Sequence, residues 1–132
     1  MQLKVATKVE VKESPGKGLG VFATEVIVPK EIIEECHVIT IPKVDIEGNK
    51  ILNDYRFNWP LNNPIKFVLP LGNGCIYNHS DTNNAYWKEH PKYEAFQFYA
   101  IKHIYPGQEI CTYYGGANYW NELSKSKKVK VI

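Results

Sequence analysis

Residues 74–84 read GCIYNHSDTNN: directly after Ile76 and Tyr77 come Asn78, His79, Ser80, Asp81, Thr82, Asn83 and Asn84. Amides, hydroxyls, an imidazole and a carboxyl in one run can donate and accept hydrogen bonds in many directions. Such residues gather where chains reverse, because their side chains bond nearby backbone, and a turn is the simplest reading. Two details add to it. Gly72 and Gly74 allow the backbone to approach something closely, and the apolar residues leading in, Phe67, Val68, Leu69, Leu71 and Ile76, read as buried. A polar cluster at the end of a buried segment must find partners, and a bound ligand is one.

Two other stretches carry comparable potential. GKGLGVFATE formally satisfies the dinucleotide-binding fingerprint through Gly18, Gly20 and Ala23. That fingerprint requires a helix after the glycines, whereas Gly20 is followed by the strand-like VFATEVIV and Pro29. What survives is a glycine pair where the backbone can turn and lie against a ligand, or an ordinary hairpin turn. The third stretch, PGQEICTYYGGANYW, runs from Pro106 to Trp120. Its Pro-Gly turn leads into a strand that ends in tyrosines at a double glycine, and aromatic residues at strand ends are commonly core.

The elements that must position these groups are mostly strands. LKVATKVEV (3–11), LGVFATEVIV (19–28), IIEECHVITI (32–41), IKFVLPL (65–71) and AFQFYAIKHI (95–104) are rich in β-branched and aromatic residues and separated by Pro, Gly and Asn. Helical periodicity is faint, with one short helix expected near ILNDYRF (51–57) and another in ANYWNELSK after Gly116. The length of 132 residues suits one domain with its own core. We expect a single domain over 1–124 and a basic, mobile tail over 125–132.

The three cysteines, Cys36, Cys75 and Cys111, are odd in number and lack any C-x-x-C pair. Neither a disulfide framework nor a four-ligand zinc site is suggested. The histidines His37, His79, His90 and His103 form no metal-spaced set, and no metal is expected. No apolar run is long enough for a signal core or a membrane span, so the expectation is a soluble, intracellular protein. Net charge is +2, yet four lysines lie in the last eight residues, which leaves the body with two excess negative charges. Direct nucleic-acid binding is disfavoured on that ground, and a basic peptide is the better-matched partner.

The ordered set of a glycine turn, an Asn-His-Ser cluster and a Gly-x-Glu strand ending in Tyr-Gly resembles the SET-domain protein lysine methyltransferases. The matching pieces are KGLGVFA (17–23), Tyr77-Asn78-His79-Ser80 and GQEICTYYG (107–115). With EIIEEC (31–36), NDYRF (53–57) and the terminal NYW (118–120), the chain looks most like the minimal SET proteins of large DNA viruses and some bacteria. The resemblance implies a mainly β fold, small curved sheets in a β-clip with short helices and a C-terminal knot-like crossing. It further implies an S-adenosylmethionine site on one face, a peptide groove on the other and a narrow channel between them.

Carried over residue by residue, the resemblance assigns the cofactor's methionine moiety to Gly18 and Gly20 with the backbone of Lys17 and Leu19. Its amino group falls to Asn78, its adenine to the backbone at His79, and an aromatic cover to Tyr119 and Trp120. Tyr114 matches the catalytic tyrosine. Tyr55, Trp87, Thr112 and Tyr113 are implied to line the lysine channel, with core packing the competing reading for Tyr55 and Trp87. A lysine-bearing histone or histone-like tail is the implied partner, which would make nuclear action in a eukaryotic cell the expectation, and the viral members imply a homodimer. Three departures stand out: Asp81-Thr82-Asn83-Asn84 replaces the usual Cys and Pro-Asn, Gln108 replaces a glutamate, and Tyr113 replaces an aspartate. Two other functions stay open at this level, a SET-fold module that binds without turnover and a small nucleic-acid-binding β-barrel.

Overall fold

The computed structural model of the chain describes residues 2–59 and 66–113. In chain order the elements are β1 (Val9–Ser14), β2 (Gly18–Ala23), β3 (Ile32–Ile41), α1 (Lys43–Glu47), α2 (Lys50–Tyr55), β4 (Phe57–Trp59), β5 (Lys66–Pro70), β6 (Asn78–His79), β7 (Ala85–Glu89), β8 (Ala95–Ala100) and β9 (Glu109–Thr112). They form a four-stranded sheet in the order β1-β2-β9-β6 and a five-stranded sheet in the order β4-β5-β3-β8-β7. Every pairing among these strands is antiparallel except β6 with β9, which run parallel with Asn78 beside Cys111 and His79 beside Thr112.

Alternation explains the packing. In β8, Phe96, Phe98 and Ala100 face inward, and they meet Val21 and Ala23 of β2 and Ile110 of β9 in one core shared by both sheets. Ile27 and Ile104 join the same core through an isolated bridge between their backbones. The mainly β expectation holds, and β3 occupies the expected 32–41.

The N-terminal strand is shorter and later than 3–11. Residues before Lys8 dock on β3 instead, where the Lys4 N–H donates to Glu35 Oε1 at 2.9 Å and the Lys4 carbonyl accepts from the Glu35 N–H. Leu71 is exposed, not buried, because it lies past the end of β5 and enters the turn at Gly72, whose φ is +64°. The helix expected at 51–57 is α2, started by Asn49, whose Oδ1 accepts from the Leu52 N–H at 3.0 Å. It stops at Tyr55 because Phe57 pairs into the sheet. The helix expected after Gly116, the tail at 125–132 and the crossing beyond Tyr113 lie outside the described residues. No described helix is long and apolar enough to cross a membrane.

Candidate functional site

Three motifs far apart in sequence become neighbours because β9 is wedged between β2 and β6. Gly18 opens β2 with φ +81°, a left-handed backbone that suits glycine. Leu19 and Gly20 then point to opposite faces of the strand. On the Leu19 side lies a cavity of about 500 Å³, whose walls include Lys17, Gly18, Leu52, Tyr55, Leu69 and Ile76. On the Gly20 side a Cβ would come within 2.5 Å of Glu109 Oε2 and 3.1 Å of Asn78 Nδ2. The absence of a side chain at 20 thus makes room for the protein's own carboxylate and amide.

Those two groups form the polar centre of the site. The buried Asn78 donates from Nδ2 to the Leu19 carbonyl at 3.0 Å and to Glu109 Oε2 at 2.7 Å. Its Oδ1 accepts from no described group. Glu109 is fixed in turn by the Ser14 hydroxyl, which donates to Oε1 at 2.8 Å, and by the Lys17 ammonium at 3.6 Å from the same oxygen. Cys111, one turn of the pleat further along β9, has its thiol pushed up to about 11 by burial and by the Glu109 charge. It stays protonated and unreactive at neutral pH.

Tyr77, just before Asn78, anchors the approach to β6. Its hydroxyl donates to the buried Glu34 carboxylate and its ring stacks on Phe98, centroids 4.6 Å apart. Burial, and then the Glu34 charge, holds the phenol well above its ordinary value, so it remains a donor. His79 is fully buried, with Nε2 2.9 Å from Asp81 Oδ1 and its ring 4.9 Å from that of Tyr113. The Ser80 N–H donates to the Thr112 carbonyl. In this parallel register the backbone of Asn78 and Ser80 serves β9, and that of His79 is turned to the outer side of β6.

The polar cluster therefore divides its labour. Ser80 to Thr82 make the turn, with the Thr82 N–H donating to Ser80 Oγ at 3.1 Å. Asn84 replaces a strand: its Nδ2 donates to the Glu109 carbonyl at 2.8 Å, its Oδ1 accepts from the Cys111 N–H at 2.9 Å, and its own N–H donates to the Cys111 carbonyl. The Ile101 N–H then donates to the Asn84 carbonyl, tying β9 to the end of β8. Asn84→Ala should destabilise the fold by about 1–3 kcal/mol, two hydrogen bonds at about 1 kcal/mol each plus partners left unpaired. A lower urea midpoint at unchanged slope would report it. Asn84→Asp should be no milder, since a carboxylate cannot donate to the Glu109 carbonyl.

The structure thus gathers Lys17, Gly18, Leu19, Gly20, Asn78, His79, Thr112 and Tyr113 around β2, β6 and β9, and puts Tyr55 in the cavity wall beside Lys17–Leu19. Trp87 is buried among aromatic rings, 4.6 Å from Phe57 and 5.0 Å from Phe96. Tyr114, Tyr119 and Trp120 lie outside the described residues. Ser14, Glu34, Asn84 and Glu109 escaped the sequence reading as site residues. For Glu109 the signal was present, a lone carboxylate at the start of the Gly-x-Glu strand, and for Asn84 it was the asparagine six residues after Asn78.

A polar zwitterion fits this arrangement: the Asn78 Oδ1 acceptor, the Lys17 side chain and the backbone of a glycine turn lie around Gly20. Among the described residues no group of His, Cys, Asp and Glu could hold a metal ion. The SET domain family matches residues 18–115. A histone-lysine N-methyltransferase of Schizosaccharomyces pombe, specific for H3 lysine-37, is 29% identical over 125 residues, 92% of this chain and 83% of that protein. The crystal structure of a Plasmodium falciparum protein with a provisional histone methyltransferase assignment superposes with a TM-score of 0.74 at 34% identity, covering 87% of this chain and 99% of that one.

Proposed function

The chain belongs to the SET-domain family, and on that premise we propose that it is a protein-lysine N-methyltransferase that takes its methyl group from S-adenosylmethionine and modifies a histone-like tail. The observation that carries this reading is the join of two features at β2: the Asn78–Glu109 centre packed against Gly20 and, beside it, the cavity lined by Lys17, Gly18, Leu19 and Tyr55. In-line transfer requires a donor and an amine held together in one such space.

Asn78 Oδ1 would take the donor's ammonium, the backbone of Lys17–Leu19 its methionine part, and the outer backbone of His79 its adenine. S-adenosylmethionine, when bound, supplies an electrophilic methyl group on a positive sulfur. The chain's own task is to deliver a neutral lysine. A free lysine has a pKa of about 10.4, so at pH 8 holding the amine neutral costs about 3.3 kcal/mol. Leu52, Leu69, Ile76 and Tyr55 give the cavity walls that disfavour an ammonium. Tyr114 is proposed to orient the transferred methyl through its phenol oxygen. A histone substrate would place this action in a nucleus.

Transfer of labelled methyl groups to histones, ribosomal proteins and free basic peptides tests the reading. Label on a lysine ε-nitrogen supports it, and cofactor binding without label in any substrate would reduce the chain to a binding module.

The position two before the expected catalytic tyrosine is Thr112, buried on β9. We propose that it borders the amine. Threonine leaves a methylated amine room to rotate where a tyrosine would hold a blocking water, so the expected products are di- and trimethyl-lysine. Mass spectrometry at exhaustive reaction checks this, with Thr112→Tyr expected to stop at one methyl group. A wild-type enzyme that halts at monomethyl-lysine with excess donor would defeat it.

A further inference from the structure

We infer that Glu109 is a positioning residue that makes the site read the α-ammonium group of its methyl donor, by locking the Asn78 amide with its oxygen outward. The inference rests on the donor site proposed above, and adds to it a residue and a selectivity.

The two ends of an asparagine amide have nearly the same shape, so packing alone does not choose between them. Here two acceptors choose. The Leu19 carbonyl and Glu109 Oε2 both face Nδ2, at 3.0 and 2.7 Å. An inverted amide would set its oxygen against a carbonyl and a carboxylate, leaving three part-buried acceptors facing one another without a donor. The Leu19 carbonyl alone supplies one of these two constraints. Glu109 supplies the charged one, and it cannot drift away from the amide because the Ser14 hydroxyl and the Lys17 ammonium hold its other oxygen.

Gly20 completes the lock, since any larger residue would displace Oε2 from beneath the amide. With Nδ2 fully engaged, Asn78 offers a ligand only an acceptor. A group that only donates, such as an ammonium, is the match.

Calorimetry with S-adenosylhomocysteine and with its analogue lacking the α-amino group provides the test. In the wild type, loss of the amino group should weaken binding about 10- to 100-fold, the range for a hydrogen bond to a charged group. Glu109→Met, which fills the same space without an acceptor, should shrink that ratio to a few-fold. Glu109→Gln should shrink it as well, because the Ser14 hydroxyl and the Lys17 ammonium hold the glutamine oxygen at the Oε1 position and turn its NH2 toward Asn78. This pattern separates positioning from a general structural role, which would weaken both ligands alike.

An unchanged ratio in Glu109→Met overturns the inference, as does a wild type indifferent to the amino group. A wild type that binds neither ligand sinks the donor site itself. If Glu109→Met does not fold, NMR of the wild type decides: the Asn78 Nδ2 protons should exchange slowly in the free and bound protein, and rapid exchange in the free protein overturns the inference.

Discussion

Asn78→Ala should cost about 100-fold or more in affinity for S-adenosylmethionine while the protein stays folded. The first part of that loss is the acceptor for an ammonium, about 1.5–3 kcal/mol or roughly 10- to 100-fold. The second follows from the network. Without Nδ2, the Leu19 carbonyl and Glu109 Oε2 lose a donor at 3.0 and 2.7 Å, and the carboxylate is left to reorganise in the space beside Gly20. The fold should survive because β6 joins β9 through backbone, including the Ser80 N–H to the Thr112 carbonyl at 3.0 Å. Calorimetry on a variant with a cooperative melt measures the effect, and undiminished affinity would remove the proposed pocket.

Tyr114→Phe should leave donor affinity within a few-fold of wild type and slow methyl transfer on the order of 100-fold or more, the signature of a contact made chiefly in the transition state. The substitution keeps the ring and deletes one oxygen, so packing is conserved while the orientation of the transferred methyl is not. Single-turnover rates at saturating donor separate transfer from binding. Near-normal turnover would shift the role elsewhere, with Tyr113, whose ring lies beside the His79 imidazole, the next to examine. A large loss of donor affinity would instead make Tyr114 a structural residue.

Much of the scaffold was legible in the sequence because its strands follow a local rule. IIEECHVITI is rich in β-branched residues and sends Ile33 and Cys36 into the core beside a buried Glu34 that accepts from the Tyr77 hydroxyl, and it is a strand over 32–41 as expected. Local rules fail where the determinant is distant. AYWKE forms β7 because Ala85 and Trp87 find the core beside β8, and nothing within five residues announces that. Leu71 looked like the end of a buried run, yet the turn at Gly72 carries it to the surface.

The site shows the same division. The glycine turn and Asn78 are recognisable by type and order, whereas Glu109 acquires meaning only when β9 brings it under an amide 31 residues away. Asn84 was hidden for another reason: its side chain copies a backbone ladder, a role that residue type does not advertise. The six-residue spacing from Asn78 was the one visible trace of it.

The insertion of β9 between β2 and β6 has a kinetic consequence. β6 and β9 are parallel neighbours, so the chain must travel through β7 and β8 in the other sheet before it can return. Contacts of such long sequence separation form late and slowly. Until the return is made, β2 and β6 share no strand between them, Asn78 has no carboxylate to set its amide, and Glu109 has no glycine to rest against. A partly folded chain in which β9 has not yet docked therefore holds no rudimentary version of the pocket: the Asn78–Glu109 centre arrives only when β9 takes its place between β2 and β6.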